Sequence, residues 1–367
     1  MIRSKRIDIT YFKIPNPKLT NSKQIYALLN PTFYTFGAKK RDMSGDLKEI
    51  QAPIQSQLIE FEKKFRASMK SQVALLNIIT RYILRHKGKQ MRPMFVFLSA
   101  GICGGISEST YRAASLIELL HTATLVHDDV VDESNYRRGF LSINALWRNK
   151  IAVLVGDYLL SKGLLLALEN DEVELLRLVS NATREMSEGE LLQIEKARRL
   201  DVTEEIYFEI IRKKTASLIA ACCATGAASA HSDPLFIQKM HAFGENVGMA
   251  FQIKDDLFDY ETSDLVGKPN GLDIKEKKLT LPLIRMLGDS DRRKKRRFIH
   301  IIKRRDQDPE KIAGLIREVH SGDGILYARK KMTEYQEKAF RILYEFPDST
   351  FRKAMEKLVR FTTERNK

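Results

Sequence analysis

"ELLHTATLVHDDVVDESNYRRG", Glu118 to Gly139, decides the reading of this chain, because it sets three aspartates inside an apolar helical pattern. On a helix, residues four apart lie one above the other and the next residue sits about 100° round. Asp128 and Asp132 therefore share a face, with Asp129 beside them. Carboxylates this close do not all stay ionised without a cation between them. "FQIKDDLFDY" repeats the spacing 127 residues later with Asp255, Asp256 and Asp259. One such motif alone would read as a solvated helix face. Two of them, each ending an apolar helix, point to metal sites. Oxygen ligands without a His or Cys cluster favour Mg²⁺ or Mn²⁺ over zinc, and Mg²⁺ is usually shared with substrate phosphates.

Working outward, apolar residues recur at three- and four-residue intervals from residue 47 to the C-terminus. Residues 109–132, 151–169, 172–196, 203–230 and 234–260 are expected as long helices, several apolar on most faces. A helix apolar all round must be surrounded by other helices. Pro93, Pro234, Pro309 and Pro347 stand where helices should begin. No alternating strand pattern and no Gly-rich strand-to-helix turn occurs, which argues against a nucleotide-binding α/β fold. The expectation is one all-α domain, a single large multi-helix bundle.

The 367 residues are 43% hydrophobic with net charge +15, and residues 1–42 hold nine Lys/Arg against two Asp. Those residues read as a basic, disordered tail or an upstream-start extension, with the folded domain at 43–367. Cys103, Cys222 and Cys223 lack CxxC spacing, and the adjacent Cys222 and Cys223 read as small core residues in a reducing compartment. The most apolar segment, "IAVLVGDYLLSKGLLLAL", is interrupted by Asp157 and Lys162, so no membrane span is expected. The expected location is cytoplasmic, peripheral to the membrane at most.

Cations cluster beside the aspartates. Arg137 and Arg138 follow the first motif, "GKQMRP" brings Lys89 and Arg92, and "RKKTASL" brings Lys214 and Thr215. "LVGKPNGLDIKEKKLTLPL" adds Lys268, Lys275, Lys277 and Lys278 after the second. Guanidinium forks and ammonium groups are what phosphate oxygens require.

In these motifs, in this order, the chain resembles the trans-isoprenyl diphosphate synthases, long-chain polyprenyl branch, from about Leu47 onward. The resemblance implies a bundle of the isoprenoid synthase type around a central substrate cavity. It implies condensation of isopentenyl diphosphate with an allylic prenyl diphosphate, with about three Mg²⁺ per active site. It makes Asp128, Asp132 and Asp255 metal ligands, supported by Asp129, Asp256 and Asp259. Lys89, Arg92, His121 and Arg138 would bind isopentenyl diphosphate. Arg137, Lys214, Thr215, Gln252 and Lys268 would hold the allylic substrate or its leaving diphosphate. Lys277 departs from the family, which often has Gly there. A homodimer is also implied.

The prenyl tail is expected to run down the Asp128 helix, past Ala123 and Thr124 about 5.4 Å below, toward Leu120, Ile117 or Leu116, or Tyr158. Short-chain relatives tend to block that level with an aromatic ring, so small residues imply a product of C25 or longer. Two other enzyme-related readings are a class I terpene cyclase and a non-catalytic subunit of a heteromeric synthase. The first normally lacks a second DDxxD, and the second tends to lose aspartates. "DRRKKRRFIHIIKRR", Asp291 to Arg305, suggests nucleic acid by charge but reads as a solvated helix face, with weak contact to anionic lipid the more interesting option. No nucleic-acid partner is expected.

Overall fold

A computed structural model describes residues 43–86, 88–137, 139–230, 233–260, 271–303 and 308–364. Helices α1 (Met43–Gln51), α2 (Gln55–Ser68), α3 (Ala74–Arg85) and α4 (Met91–Ile102) lead into three long ones, α5 (Glu108–Val131), α6 (Ile143–Leu168) and α7 (Val173–Arg199). Then α8 (Glu204–Ile211) passes through a π-helical turn, Arg212–Ala216, into α9 (Ser217–Ser229), followed by α10 (Pro234–Leu257). The rest is α11 (Leu272–Lys275), α12 (Leu281–Asp289), α13 (Arg292–Lys303), α14 (Pro309–Ser321), α15 (Gly324–Leu343) and α16 (Thr350–Thr363). Ser44–Lys367 form one compact unit.

Local chemistry starts these helices where the sequence says it should. Asp233 accepts from the Leu235 amide at 2.7 Å ahead of Pro234, and Asp308 from the Glu310 amide at 2.9 Å ahead of Pro309. Such caps satisfy amides that have no partner within the helix. Four details differ from expectation. Pro347 lies in the loop before α16, three residues short of its start. The 151–169 helix begins earlier, at Ile143, across a kink where Arg148 has φ 70°. The 203–230 helix contains the π turn, which apolar periodicity does not reveal. A two-residue ladder, β1 (Tyr136–Arg137) with β2 (Phe140–Leu141), also forms at "YRRGFL", with Gly139 at φ 81° in its turn.

The central helix is α9, packed by α4, α5, α7 and α10. Its sequence, "SLIAACCATGAAS", is small and apolar on every side, so neighbouring backbones approach closely. A Cβ on Gly226 would lie 2.3 Å from the Val96 carbonyl oxygen, and one on Gly248 of α10 would lie 2.4 Å from the Ala216 Cα. Two apolar cores result. Ile237, Met240, Phe243 and Val247 of α10 belong to the first, with α2, α4, α5, α6 and α9. Met249, Ile253 and Leu257 belong to the second, with α8 and α12 to α15. The two meet where Gly248 presses on the π turn.

By length and composition α6 could cross a membrane, contrary to the expectation that no segment could. It packs instead along α5, where a Cβ on Gly156 would strike the His127 ring at 2.2 Å and one on Gly163 would lie 3.3 Å from Leu116.

Gly248→Ala should overpack this junction and destabilise the protein by about 1–3 kcal/mol, measured by urea unfolding. An unchanged midpoint would show that α10 can retreat without loss.

Candidate active site

One cavity of about 840 Å³ opens between α3, α4, α5, α7, the π turn, α10 and α16. Lys89, Arg92, His121, Thr124, Asp128, Asp129, Arg137, Lys214, Thr215 and Gln252 all line it. Residues from five separate stretches of sequence thus meet at one surface. The rest of the wall is largely apolar, with Phe61, Phe65, Phe95, Leu125, Met186, Leu218 and Phe251. Asp132, Asp255, Asp256 and Asp259 are not in this wall. Arg138 and Lys268 lie outside the described residues.

Two stripes on α5 explain which of its residues reach the cavity. His121, Thr124, Leu125 and Asp128 form the stripe facing it. Leu116, Leu120 and His127 form the stripe against Gly163 and Gly156 of α6. Helical spacing puts Ala123 on that second stripe, and both Ala123 and Leu120 are 3% exposed in the core. Of the residues expected along the prenyl tail, Ala123, Thr124, Leu120, Ile117, Leu116 and Tyr158, Thr124 alone lines the cavity as it stands.

Backbone strain helps to aim the cations. Gln90, between Lys89 and Arg92, has φ 53°, in the left-handed region. Lys214 and Thr215 lie within the π turn at Arg212–Ala216, whose wider turn offsets their side chains about the helix axis from the α-helical register. Gly189 on α7 allows the approach: a Cβ there would lie 2.7 Å from the Lys214 amide nitrogen. Lys277, where the family often has Gly, adopts φ 60°, a conformation that glycine takes without the penalty of a Cβ.

Each of three cavity cations is matched to an acid. Arg137 Nε donates to Asp129 Oδ1 at 2.7 Å, and Asp129 is 3% exposed. Arg92 lies 3.9 Å from Glu118. Lys214 pairs with Glu190 and donates to Gln193 at 3.3 Å. Partial desolvation, then repulsion from Asp132 and Glu190, raises the Asp128 carboxyl above its usual range, while Arg137 and Lys214 pull it down. Asp132 caps α5, its amide bonded to the Asp128 carbonyl at 2.8 Å, and its side chain is exposed.

The second motif straddles the end of α10. Phe258, Asp259 and Tyr260 each bond back three residues, a tighter turn than the α-helix, so Asp259 does not stack above Asp255 as a continuous helix would place it. Asp255 is exposed at the helix end. Asp259 is buried and accepts from the Asp273 amide at 3.2 Å. Asp256 is buried within a hydrogen-bond chain. Thr215 donates to Gln252 Oε1 at 2.7 Å, Gln252 Nε2 donates to Asp256 Oδ1 at 2.7 Å, and the Tyr207 hydroxyl donates to Asp256 Oδ2 at 2.7 Å. Burial pushes Asp256 up to about 7 although both hydrogen bonds oppose it. Burial, then the charge of Asp259, pushes Asp273 up to about 6.

Four residues here carry no signal of their own in the sequence. Glu118 and Glu190 read as ordinary helix acids. Tyr207 reads as core. Asp273 sits within "GKPNGLDI", where the lysines draw the attention; its charge bears on Asp255, Asp256 and Asp259 together.

Among the described residues, no three His, Cys, Asp or Glu side chains converge on a ready-made ion site. The donor set is nevertheless suited to a hard cation. It is carboxylate oxygen, and Asp132 and Glu190 destabilise the charge on Asp128, which a divalent ion would relieve.

A family model described as polyprenyl synthetase matches residues 73–319. The chain belongs to the polyprenyl synthetase family. It is 36% identical to an all-trans-nonaprenyl-diphosphate synthase (geranyl-diphosphate specific) of Rhodobacter capsulatus, over 88% of this chain and 99% of that one. A crystal structure of a decaprenyl diphosphate synthase from Rhodobacter capsulatus superposes with TM-score 0.82 at 31% identity, covering 87% of this chain and 98% of that one. A polyprenyl synthase from Caulobacter crescentus CB15, complexed with calcium and isoprenyl diphosphate, superposes with TM-score 0.79 at 31% identity, covering 87% and 98%. The all-α isoprenoid synthase fold and the long-chain trans branch, expected from the motifs, are those of its relatives.

A pH effect arises from Asp256. Its folded-state affinity for a proton exceeds the unfolded one, so its contribution to stability is full at low pH and is lost as pH rises through about 7. Metal-free wild type should therefore lose stability between about pH 4 and about pH 7 and level off above that, with a slope that Asp256→Asn flattens in urea titrations. Equal slopes would assign the pH dependence to other groups.

Proposed function

We propose that this family member condenses isopentenyl diphosphate with an allylic prenyl diphosphate, head to tail and in trans, to build an all-trans polyprenyl diphosphate of C25 or longer. The observation that supports it best is the single cavity where two sets of cations and Asp128 meet a largely apolar wall. The charged part suits two diphosphates and the apolar part suits a growing chain.

In this reading, Asp128, Asp132 and Asp255 hold Mg²⁺, with Asp129, Asp256 and Asp259 supporting. When bound, Mg²⁺ supplies charge stabilisation for the leaving diphosphate. Arg137 and Lys214 hold that diphosphate, giving up part of their contact with Asp129 and Glu190. Their charge favours departure of the allylic diphosphate with the bonding electron pair. Lys89, Arg92 and His121 hold isopentenyl diphosphate so that its double bond faces the allylic carbon. The Thr215 and Gln252 oxygens face the carbon left electron-poor, and the hydrogen-bond chain through Asp256 to Tyr207 keeps the Gln252 amide from turning. Among the described residues no side-chain base lies in an obvious position, so the departed diphosphate is the proton acceptor.

A homodimer is part of this proposal. Leu154, Leu165 and Leu168 lie on one side of α6 and are 54%, 48% and 55% exposed, an apolar face that a second copy would cover.

With Mg²⁺, farnesyl diphosphate and labelled isopentenyl diphosphate, products sized after dephosphorylation should form a ladder ending at C25 or beyond. Chelation should abolish it, and Asp128→Asn or Asp255→Asn should lower kcat roughly 10²-fold or more. No incorporation by the wild type would overturn the proposal. Thr124→Phe should shorten the product; if Ala123→Phe does so instead, the chain runs between α5 and α6. Leu154→Glu with Leu165→Glu should give a monomer by light scattering, and a persisting dimer would place the interface elsewhere.

A further inference from the structure

The function above makes no use of α13. Arg292, Arg293, Lys294, Lys295, Arg296 and Arg297 follow one another there, Lys303 comes later, and the helix has no Asp or Glu. Its inner side is apolar, with Phe298 and Ile302 each 1% exposed. Other surface helices of this chain alternate their charges: Arg184 pairs with Glu188, Arg199 with Glu195, Arg341 with Glu337 and Arg360 with Glu356. In α13 the reverse holds. Arg292 over Arg296, and Arg293 over Arg297, stack like charges one turn apart, which destabilises a helix. Cations also fill its first turn, where the helix dipole favours anions. Asp291 caps the helix by accepting from the Arg293 and Lys294 amides at 2.8 Å each, and Glu318 of α14 takes Lys294 at 2.7 Å. Arg292, Arg293, Lys295 and Arg296 are exposed, with no acidic partner among the described residues.

We propose that this face docks on an anionic bilayer, setting the α13 cations against lipid phosphates. The helix is electrostatically frustrated in isolation, and a negative surface relieves both its side-chain repulsion and its dipole mismatch. Arg297, Lys311 and Arg317 line a groove of about 520 Å³ between α13 and α14, where Glu318 lies 3.9 Å from Arg297 and Asp308 lies 3.5 Å from Lys311, so the groove adds fewer unbalanced cations than α13 itself. A bilayer fits better than a nucleic acid because the ring of the run, Phe298, is turned inward and offers no surface for base stacking. Docking does not depend on the reaction proposed above. Its consequence does: a long prenyl product would be released beside the phase that dissolves it.

The test uses the full chain without substrates, sedimented with phosphatidylcholine vesicles with and without phosphatidylglycerol at physiological salt. The wild type should bind the anionic vesicles at least roughly tenfold more tightly. Arg292→Gln, Arg293→Gln, Lys295→Gln and Arg296→Gln together should remove most of that preference, with an unfolding temperature equal or higher and unchanged activity in detergent. No preference for anionic vesicles in the wild type would overturn the proposal. So would full binding by the variant, which would transfer the effect to the basic residues 1–42. Tighter binding to duplex DNA than to the vesicles would make the partner a nucleic acid. Vesicle binding with no prenyl product would leave docking standing and overturn the proposed function instead.

Discussion

The close approach of α10 to the π turn, Gly248 against Ala216, is the contact on which the site depends. No side chain larger than hydrogen fits at Gly248 without moving one of the two backbones. Because they touch there, Gln252, one turn further along α10, reaches Thr215 at 2.7 Å and continues to Asp256 and Tyr207. The same point joins the two apolar cores. Helices on either side are thereby positioned relative to one another, and with them the walls of the cavity.

Charge in the cavity is balanced before any substrate arrives. Asp129, Glu118 and Glu190 hold Arg137, Arg92 and Lys214 in place, so the cations do not scatter into solvent or repel one another. A diphosphate that displaces these acids gains charge-assisted hydrogen bonds but must compete with contacts already made. The balance differs at Asp128, where partial burial, and then the neighbouring acids Asp132 and Glu190, outweigh the cations and the carboxyl is left poorly stabilised. A divalent ion would supply what is missing there. The structure therefore places its electrostatic deficit beside the group expected to meet metal.

Much of this is legible in the residues. Apolar spacing locates the long helices to within a few residues at most ends, and the proline and aspartate signals locate several starts. The motif residues Lys89, Arg92, His121, Asp128, Arg137, Lys214, Thr215 and Gln252 do line one cavity. The features that escape such a reading do so for physical reasons. The π turn keeps helical periodicity on both sides, so its extra residue leaves no trace in an apolar pattern. Glu190 and Tyr207 become site residues through neighbours 24 and 49 positions away, Lys214 and Asp256, and a single sequence carries no sign of either pairing. The second DDxxD reads as a continuous helix, but hydrogen bonds at its end tighten and turn Asp259 inward.

By itself the sequence determined the all-α class, the paired aspartate motifs, the cations beside them and the family to which they belong. These depend on residue type and on spacing within one helix, where the period of 3.6 makes near neighbours predictable. Only the tertiary structure decided which face of α5 looks into the cavity, so that Thr124 lines it while Ala123 packs toward α6. It also decided which acid balances which cation, and that Asp256 lies buried in a hydrogen-bond chain. Those outcomes depend on how closely backbones approach at glycines such as Gly156, Gly189 and Gly248, a property of two helices together that neither sequence segment contains alone.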